Sequence, residues 1–189
     1  MRSVSWLLLW LVPGLLLLLP GCGKQSVADS PEAAAKALAA AEGFKALDHA
    51  QPKLATIKLW LGDQELVTEV ARRPYELMTG MMFRTNMAEN EGMIFLLAAP
   101  QRASFYMRNT KVPLDCAYLD LDGNILEIHA LQPLNETPVE SAATNVQFVL
   151  ETPQGWFQRH NVRTGAVVRT QYGSLPSLDW STLRPRAAR

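Results

Sequence analysis

The chain has 189 residues, 48% hydrophobic and 19% charged, with 18 basic side chains balanced by 18 acidic ones. An ordinary apolar fraction and zero formal charge argue against intrinsic disorder, and the lack of basic excess argues against non-specific nucleic-acid binding. The length suits one domain with flanking segments.

Met1-Arg2-Ser3 makes a short basic start, and residues 6–19 form an apolar run interrupted by Pro13-Gly14. That run has the length of a signal-peptide core and is short for a membrane span. Leu19-Pro20-Gly21-Cys22 resembles a bacterial lipobox, in which the cysteine is lipidated and the chain is cut before it. Residues 1–21 are therefore expected to be a signal peptide and Cys22 the lipidation site; an uncleaved anchor and an ordinary signal peptide are the alternatives. The lipid at Cys22 makes a membrane the first expected partner. Gly23 stands where an inner-membrane retention signal typically has Asp, which points to the outer membrane, facing the periplasm. Acylation of Cys22 would leave Cys116 with no cysteine to pair with.

Residues 22–54 read as a tether. Ser30-Pro31-Glu32 starts a helix, and the Ala-rich stretch 33–47 continues it, with a mostly Ala face that buries little. Docking through Leu38, Phe44 and Leu47 is the other reading of that stretch. Residues 55–170 carry the strand pattern. Ile57, Leu59 and Leu61 alternate with polar neighbours, Gly62-Asp63 turns the chain, and 66–70 returns. Arg73-Pro74 opens a short helix that ends near Gly80. Residues 93–97 are a continuous apolar run, and 103–108 alternate. Asp122-Gly123 predicts a two-residue hairpin between strands 114–121 and 124–131. In 146–151, Val146, Phe148 and Leu150 alternate with Gln147, Val149 and Glu151. A helix over 155–160 stops at Asn161, and 167–170 closes the sheet. Seven or eight short strands with two short helices predict a mainly β (α+β) domain, a β-barrel-like or folded sheet. Residues 171–189 contain Pro and Gly breaks and end in a basic run, so a loose tail is expected there.

Two segments concentrate special residues. One is Gly80-Met81-Met82-Phe83-Arg84 with Gly92-Met93-Ile94-Phe95; the other is Phe105-Tyr106-Met107-Arg108-Asn109-Thr110 with Pro113-Leu114-Asp115. Several motifs in this order over residues 55–170 resemble the DUF192 family of prokaryotic domains, with Tyr106 standing for Trp and Arg108 for Lys. The resemblance implies a compact, mainly β fold and no particular activity.

Chemistry is therefore read from residue types. Arg84 offers a fork of donors suited to carboxylate or phosphate, with Asp115 as its natural partner. Arg84, Arg108, Asn109, Thr110 and Asp115 are the candidate binding residues for a small polar or anionic ligand. The competing structural reading is an Arg84–Asp115 pair beside a turn closed by Asn109-Thr110. Met81, Met82, Met87, Met93 and Met107 stand where core residues are expected, which favours packing over soft-metal binding. Cys116, between Leu114 and Tyr118 on an alternating strand, reads as a small core residue. No phosphate loop or dinucleotide fingerprint occurs, so no cofactor is expected; His49, His129 and His160 are isolated, and Glu127 with His129 lacks a third ligand, so no metal is expected. The leading expectation is a monomeric envelope lipoprotein that binds a small ligand or an envelope component. A hydrolase-like enzyme using Asp115 and Arg84, and a purely structural or interaction module, are the rivals.

Overall fold

A computed structural model describes residues 45–183. The expected signal peptide, Cys22, most of the Ala-rich helix and the chain beyond 183 lie outside the described residues.

Strands β1 (Thr56–Leu61) and β2 (Gln64–Ala71) make the first hairpin. Along β1, Ile57, Leu59 and Leu61 are buried while Thr56 and Lys58 face solvent, the alternation that a half-buried strand imposes. Helix α1 (Pro74–Thr79) follows, with Pro in its first turn. The Glu76 carboxylate accepts from the Arg72 and Arg73 amides (3.0 and 2.9 Å), satisfying donors that a helix start leaves free. The chain then enters β3 (Glu91–Gln101), which lies parallel to β2. A parallel pair needs a crossover, and α1 supplies it.

The remaining strands are β4 (Ser104–Phe105), β5 (Leu114–Leu119), β6 (Ile125–Leu131), β7 (Val139–Glu140), β8 (Val146–Pro153), β9 (Val168–Thr170) and β10 (Gly173–Ser174). Helix α2 (Trp156–Arg159) links β8 to β9. Eight strands form one sheet in the order β10-β9-β1-β2-β3-β8-β5-β6, and β4 pairs with β7 as a separate ribbon. The sheet bends until Val167 bridges Asn124, and the Ile125 and Val168 amides donate to the Ala166 and Gly123 carbonyls. Gly123 permits this approach: a Cβ there would stand 2.9 Å from the Val168 carbonyl oxygen. The edge strands β6 and β10 are not hydrogen-bonded to each other, so the sheet is folded rather than closed into a barrel. The mainly β class with two short helices is as expected; β7 and β10 are the additional strands. The hairpin expected at Asp122-Gly123 is longer, running from Asp120 to Asn124, with the Asp120 carboxylate accepting from the Asn124 amide.

The central strands β5 and β8 are covered on both faces. One face carries Ile94, Ala117, Phe148, Leu150 and Trp156 in the larger core. The other carries Met93, Phe95, Cys116, Tyr118 and Val149 in a second core, which Met81 and Met107 also fill. Cys116 is fully buried, and burial first of all pushes its thiol up to about 12, so it packs as an inert small residue.

Two expected boundaries move. The last residues of the expected tether belong to the domain: Gln51 and Leu54 are buried, and the Leu47 amide donates to Thr79 Oγ1 at 3.0 Å. The expected loose tail packs as far as Leu183. Leu175 and Leu178 enter the larger core, Trp180 lies 5.4 Å from the Phe148 ring centre, and the Arg72 guanidinium donates to the Trp180 and Leu183 carbonyls. The apolar residues between the Pro and Gly breaks explain this, since they close an end of the core that would otherwise meet water. Leu175→Ala should therefore lower the unfolding free energy by about 2–4 kcal/mol in urea denaturation, the cost of emptying a buried leucine site. Unchanged stability would show that the C-terminal segment is dispensable to the core.

Candidate functional site

The two motif-rich segments meet. Phe83 and Asn109 both adopt left-handed backbone, at φ 63° and 55°, and the Phe83 amide donates to the Asn109 carbonyl at 2.8 Å. Such a conformation is uncommon for residues with side chains and persists where surrounding structure holds it. The second turn is held further by Met107 and Leu134, whose amides donate to the Asn135 and Thr110 carbonyls.

Arg84 pairs with Glu69 of β2, not with Asp115. Its Nη1 and Nη2 donate to Glu69 Oε1 and Oε2 at 2.7 and 2.9 Å, a bidentate fork with both side chains at or below 10% exposure. Glu69 Oε2 also accepts from the Leu54 amide, and Lys53 Nζ lies 3.2 Å from Oε1. Burial works against the ionised Glu69, but the Arg84 and Leu54 hydrogen bonds and the Arg84 and Lys53 charges outweigh it and hold the carboxyl below its ordinary value. The pair ties the turn after α1 to the sheet.

The other expected site residues are dispersed. Asp115 is buried on β5, where its Oδ2 accepts from the Gly155 amide at 2.8 Å and so anchors the turn into α2. Burial raises its pKa, partly offset by that hydrogen bond and by the Arg159 charge. It opens onto a wide polar hollow with Gln158, Arg163 and Thr164, while Arg84 lines a different one with Lys53 and Glu69. Arg108 and Asn109 are exposed on the outer turn. Thr110 alone among the five lines the cleft that the two motifs enclose.

That cleft, of about 240 Å³, lies between the end of α1 with the following turn and the β4 segment with its turn. Gly80, Met81 and Met82 form one wall and Phe105, Tyr106 and Thr110 the other, over a floor of Phe95, Leu97 and Glu151. Gly80 is confined here twice over, at φ 45° and with a Cβ position only 3.2 Å from the Phe95 ring. Gln51 fixes this wall from behind, its Nε2 donating to the Gly80 carbonyl at 2.9 Å. Phe105 meets Phe95 edge to face, 5.0 Å between ring centres. Met78 and Tyr106 leave apolar surface exposed at the rim.

Glu151 is the anomaly of the cleft. It lies on the same face of β8 as Val149, is 5% exposed, and its Oε2 has no hydrogen-bond partner among the described residues. Burial alone pushes its carboxyl from 4.5 up to about 8, so at neutral pH it carries a proton. Holding that proton costs the fold about 3 kcal/mol at neutral pH relative to an ionised carboxyl in the unfolded chain. Neighbouring Cys116 and Tyr118 are likewise pushed up, chiefly by burial. Sequence reading noted only that Glu151 alternates with Phe148 and Leu150, and gave it no role. Both faces of β8 are covered, and Val149 in the same alternating set was the available hint. Glu69, which no motif marks, was missed for the same reason: β2 is also covered on its second face.

Comparison with known proteins agrees with the fold. The DUF192 family profile, described as an uncharacterized conserved group, matches residues 57–170. A crystal structure from Sinorhizobium meliloti 1021, provisionally described as a transcription regulator, is similar with TM-score 0.61 at 29% identity, covering 64% of this chain and 98% of that one. A protein of unknown function from Novosphingobium aromaticivorans DSM 12444 is similar with TM-score 0.60 at 34% identity, covering 69% of this chain and 96% of that one. No protein with a curated description matches.

Glu151 makes stability depend on pH in a defined direction. The folded chain keeps its proton up to about 8 while the unfolded chain loses it near 4.5, so between these values the folded state binds more protons and stability falls as pH rises. Glu69 acts oppositely, its contribution being lost only as pH falls below the ordinary carboxylate range. Unfolding free energy measured in denaturant should drop by roughly 3 kcal/mol from about pH 5 to about pH 8, and Glu151→Gln should flatten most of that slope. An equal slope in the variant would show that Glu151 is ionised in the folded chain.

Proposed function

The chain belongs to the DUF192 family, and from the geometry of its cleft we propose that the domain is a small-molecule-binding module. The observation that carries this reading is a buried carboxyl without a partner, facing an apolar recess that both family motifs enclose. Concave, mostly apolar recesses with one or two inward polar groups are the usual form of ligand sites. A ligand there is small, with an apolar body against Met81, Phe95 and Phe105 and a polar group near Thr110 and Glu151. The exposed Arg108 and Asn109 are available only to groups outside the cleft. A hydrolase using Arg84 with Asp115 is less well supported, because Arg84 is engaged by Glu69 and the two residues open onto different hollows. The provisional description of the Sinorhizobium relative does not transfer readily, since zero net charge supplies no electrostatic footprint for duplex DNA.

Methionine-methyl NMR tests the cleft directly. On titration with 1-hexanol, the methyl resonances of Met78, Met81 and Met82 should shift, while Met87 and Met107, which do not line the cleft, should stay. Ser104→Trp, an exposed position on the cleft wall, should abolish those shifts without loss of fold. Absence of shifts, or shifts spread over all methionines, would remove the binding reading.

The address is a proposal of its own, supported by the lipobox-like Leu19-Pro20-Gly21-Cys22 after an apolar run of signal-peptide length. The domain then hangs from a lipid on Cys22 at the outer membrane and faces the periplasm. Cys22→Ser should move the protein from the membrane to the soluble fraction or block its processing, leaving the melting temperature unchanged. Unaltered fractionation and mass would overturn lipidation.

A further inference from the structure

The inner end of the cleft lacks a charge of one sign. Among the described residues, no Lys, Arg or His lines it, and Glu151 Oε2 has no hydrogen-bond partner. Next to Glu151 on the same face are Cys116 and Tyr118 of β5, both kept neutral by burial; beyond them His129 of β6 is engaged by Glu127, and Tyr106 stands at the rim, so none of these groups is a hydrogen-bonded partner of Glu151. Thr110 lends no donor either, because its hydroxyl donates to the Arg108 carbonyl at 3.2 Å and leaves only lone pairs for a visitor. Phe95, Phe105 and Tyr106 also line the cleft and bring no charge of their own, and the face of an aromatic ring attracts cations. Methionine thioethers at Met81 and Met82 are weak acceptors. A buried carboxylate is stable only when paired, so the group that complements this set is a cation or a strong donor.

Resting on the reading of the cleft as the binding site, we infer that its ligand is a small primary amine with an apolar body, whose ammonium group pairs with the Glu151 carboxylate. The volume of about 240 Å³ exceeds the ~150 Å³ known to admit benzene and falls below the usual range for drug-sized ligands, which sets the scale at a few carbon atoms. The proton balance is explicit. An amine that enters as R–NH₃⁺ meets the Glu151 carboxylic acid; its O–H breaks, the proton passes to buffer, and the ammonium–carboxylate pair remains. An amine that enters neutral takes the same proton itself. A neutral ligand exchanges none, and a carboxylate ligand either shares the Glu151 proton, with no exchange, or takes up one more from the buffer.

Calorimetric titration of the full chain with n-hexylamine, 1-hexanol and hexanoate, in two buffers of different ionisation enthalpy near neutral pH, separates these cases. Hexylamine should bind at least about tenfold more tightly than hexanol and release close to one proton to the buffer. Glu151→Gln should erase the preference and the proton release while hexanol still binds. Hexylamine no tighter than hexanol, or bound without proton release, overturns the amine inference but leaves the cleft reading intact. Hexanoate binding most tightly, with or without proton uptake, overturns it in favour of an acid. Failure of all three probes to bind removes both readings. The proton count needs no variant, so the test holds even where Glu151→Gln does not fold.

Discussion

The forked pair between Arg84 and Glu69 is the constraint on which the described architecture of the cleft depends. A guanidinium bound through two nitrogens fixes direction as well as distance, so the turn after α1 has one orientation on β2. Phe83, next in the chain, then presents its amide to Asn109, and the second turn is set against the first. Remove the fork and Arg84 keeps a nearly buried charge with no partner, which forces the turn outward before any side chain of the cleft is altered. The walls of the cleft are thus positioned by an interaction that contributes no atom to its lining.

Glu151 stands in tension with that arrangement. Most of the domain follows local rules: alternating strands, a Pro-started helix, satisfied turns. At the cleft floor the rules break, with a carboxyl placed in a layer otherwise filled by Met93, Phe95, Cys116 and Val149. A domain of this size has a small net stability, and a few kcal/mol held against it is a large share. Such a sacrifice is expected where a site needs a group that the fold would rather exclude. The left-handed Phe83 and Asn109 lie outside the lining, in the two turns that carry the cleft walls, so conformational cost is held in the frame of the cleft and electrostatic cost at its floor.

Much of this was legible from residue order. Period-two alternation located β1 and β8, the turns at Gly62-Asp63 and Asp122-Gly123 located β2 and β5, Pro74 and Gly80 bounded α1, and the motif segments did converge in space. What stayed hidden depends on contacts across distant parts of the chain. Alternation cannot tell a face covered by another layer from one covered by water, which is why neither Glu69 nor Glu151 was singled out. Charge type alone could not choose between Glu69 and Asp115 as the partner of Arg84, because pairing is decided by strand order and the sequence does not display strand order. Asp115, which shares a motif with Thr110, turned out to hold the entry to α2, while Thr110 lines the cleft. The apolar residues of 175–183 were legible as residues, but only the bend of the sheet gives them a surface to cover.

The neighbour relations of β9 have a bearing on how the chain is made. Synthesis delivers β1 early and β9 late, yet β9 pairs with β1 and 165–168 bonds to the β5–β6 hairpin. Until those last residues emerge, the outer edge of β1 is an open ladder of amides and carbonyls, and the core beneath Phe148 is uncovered. A nascent or truncated chain is therefore sticky in a specific place, along one strand edge, where a second incomplete copy can add on. For this fold, completion of the C-terminus is the step that ends the vulnerable period, and any delay in delivering it at the ribosome lengthens exposure of the same edge.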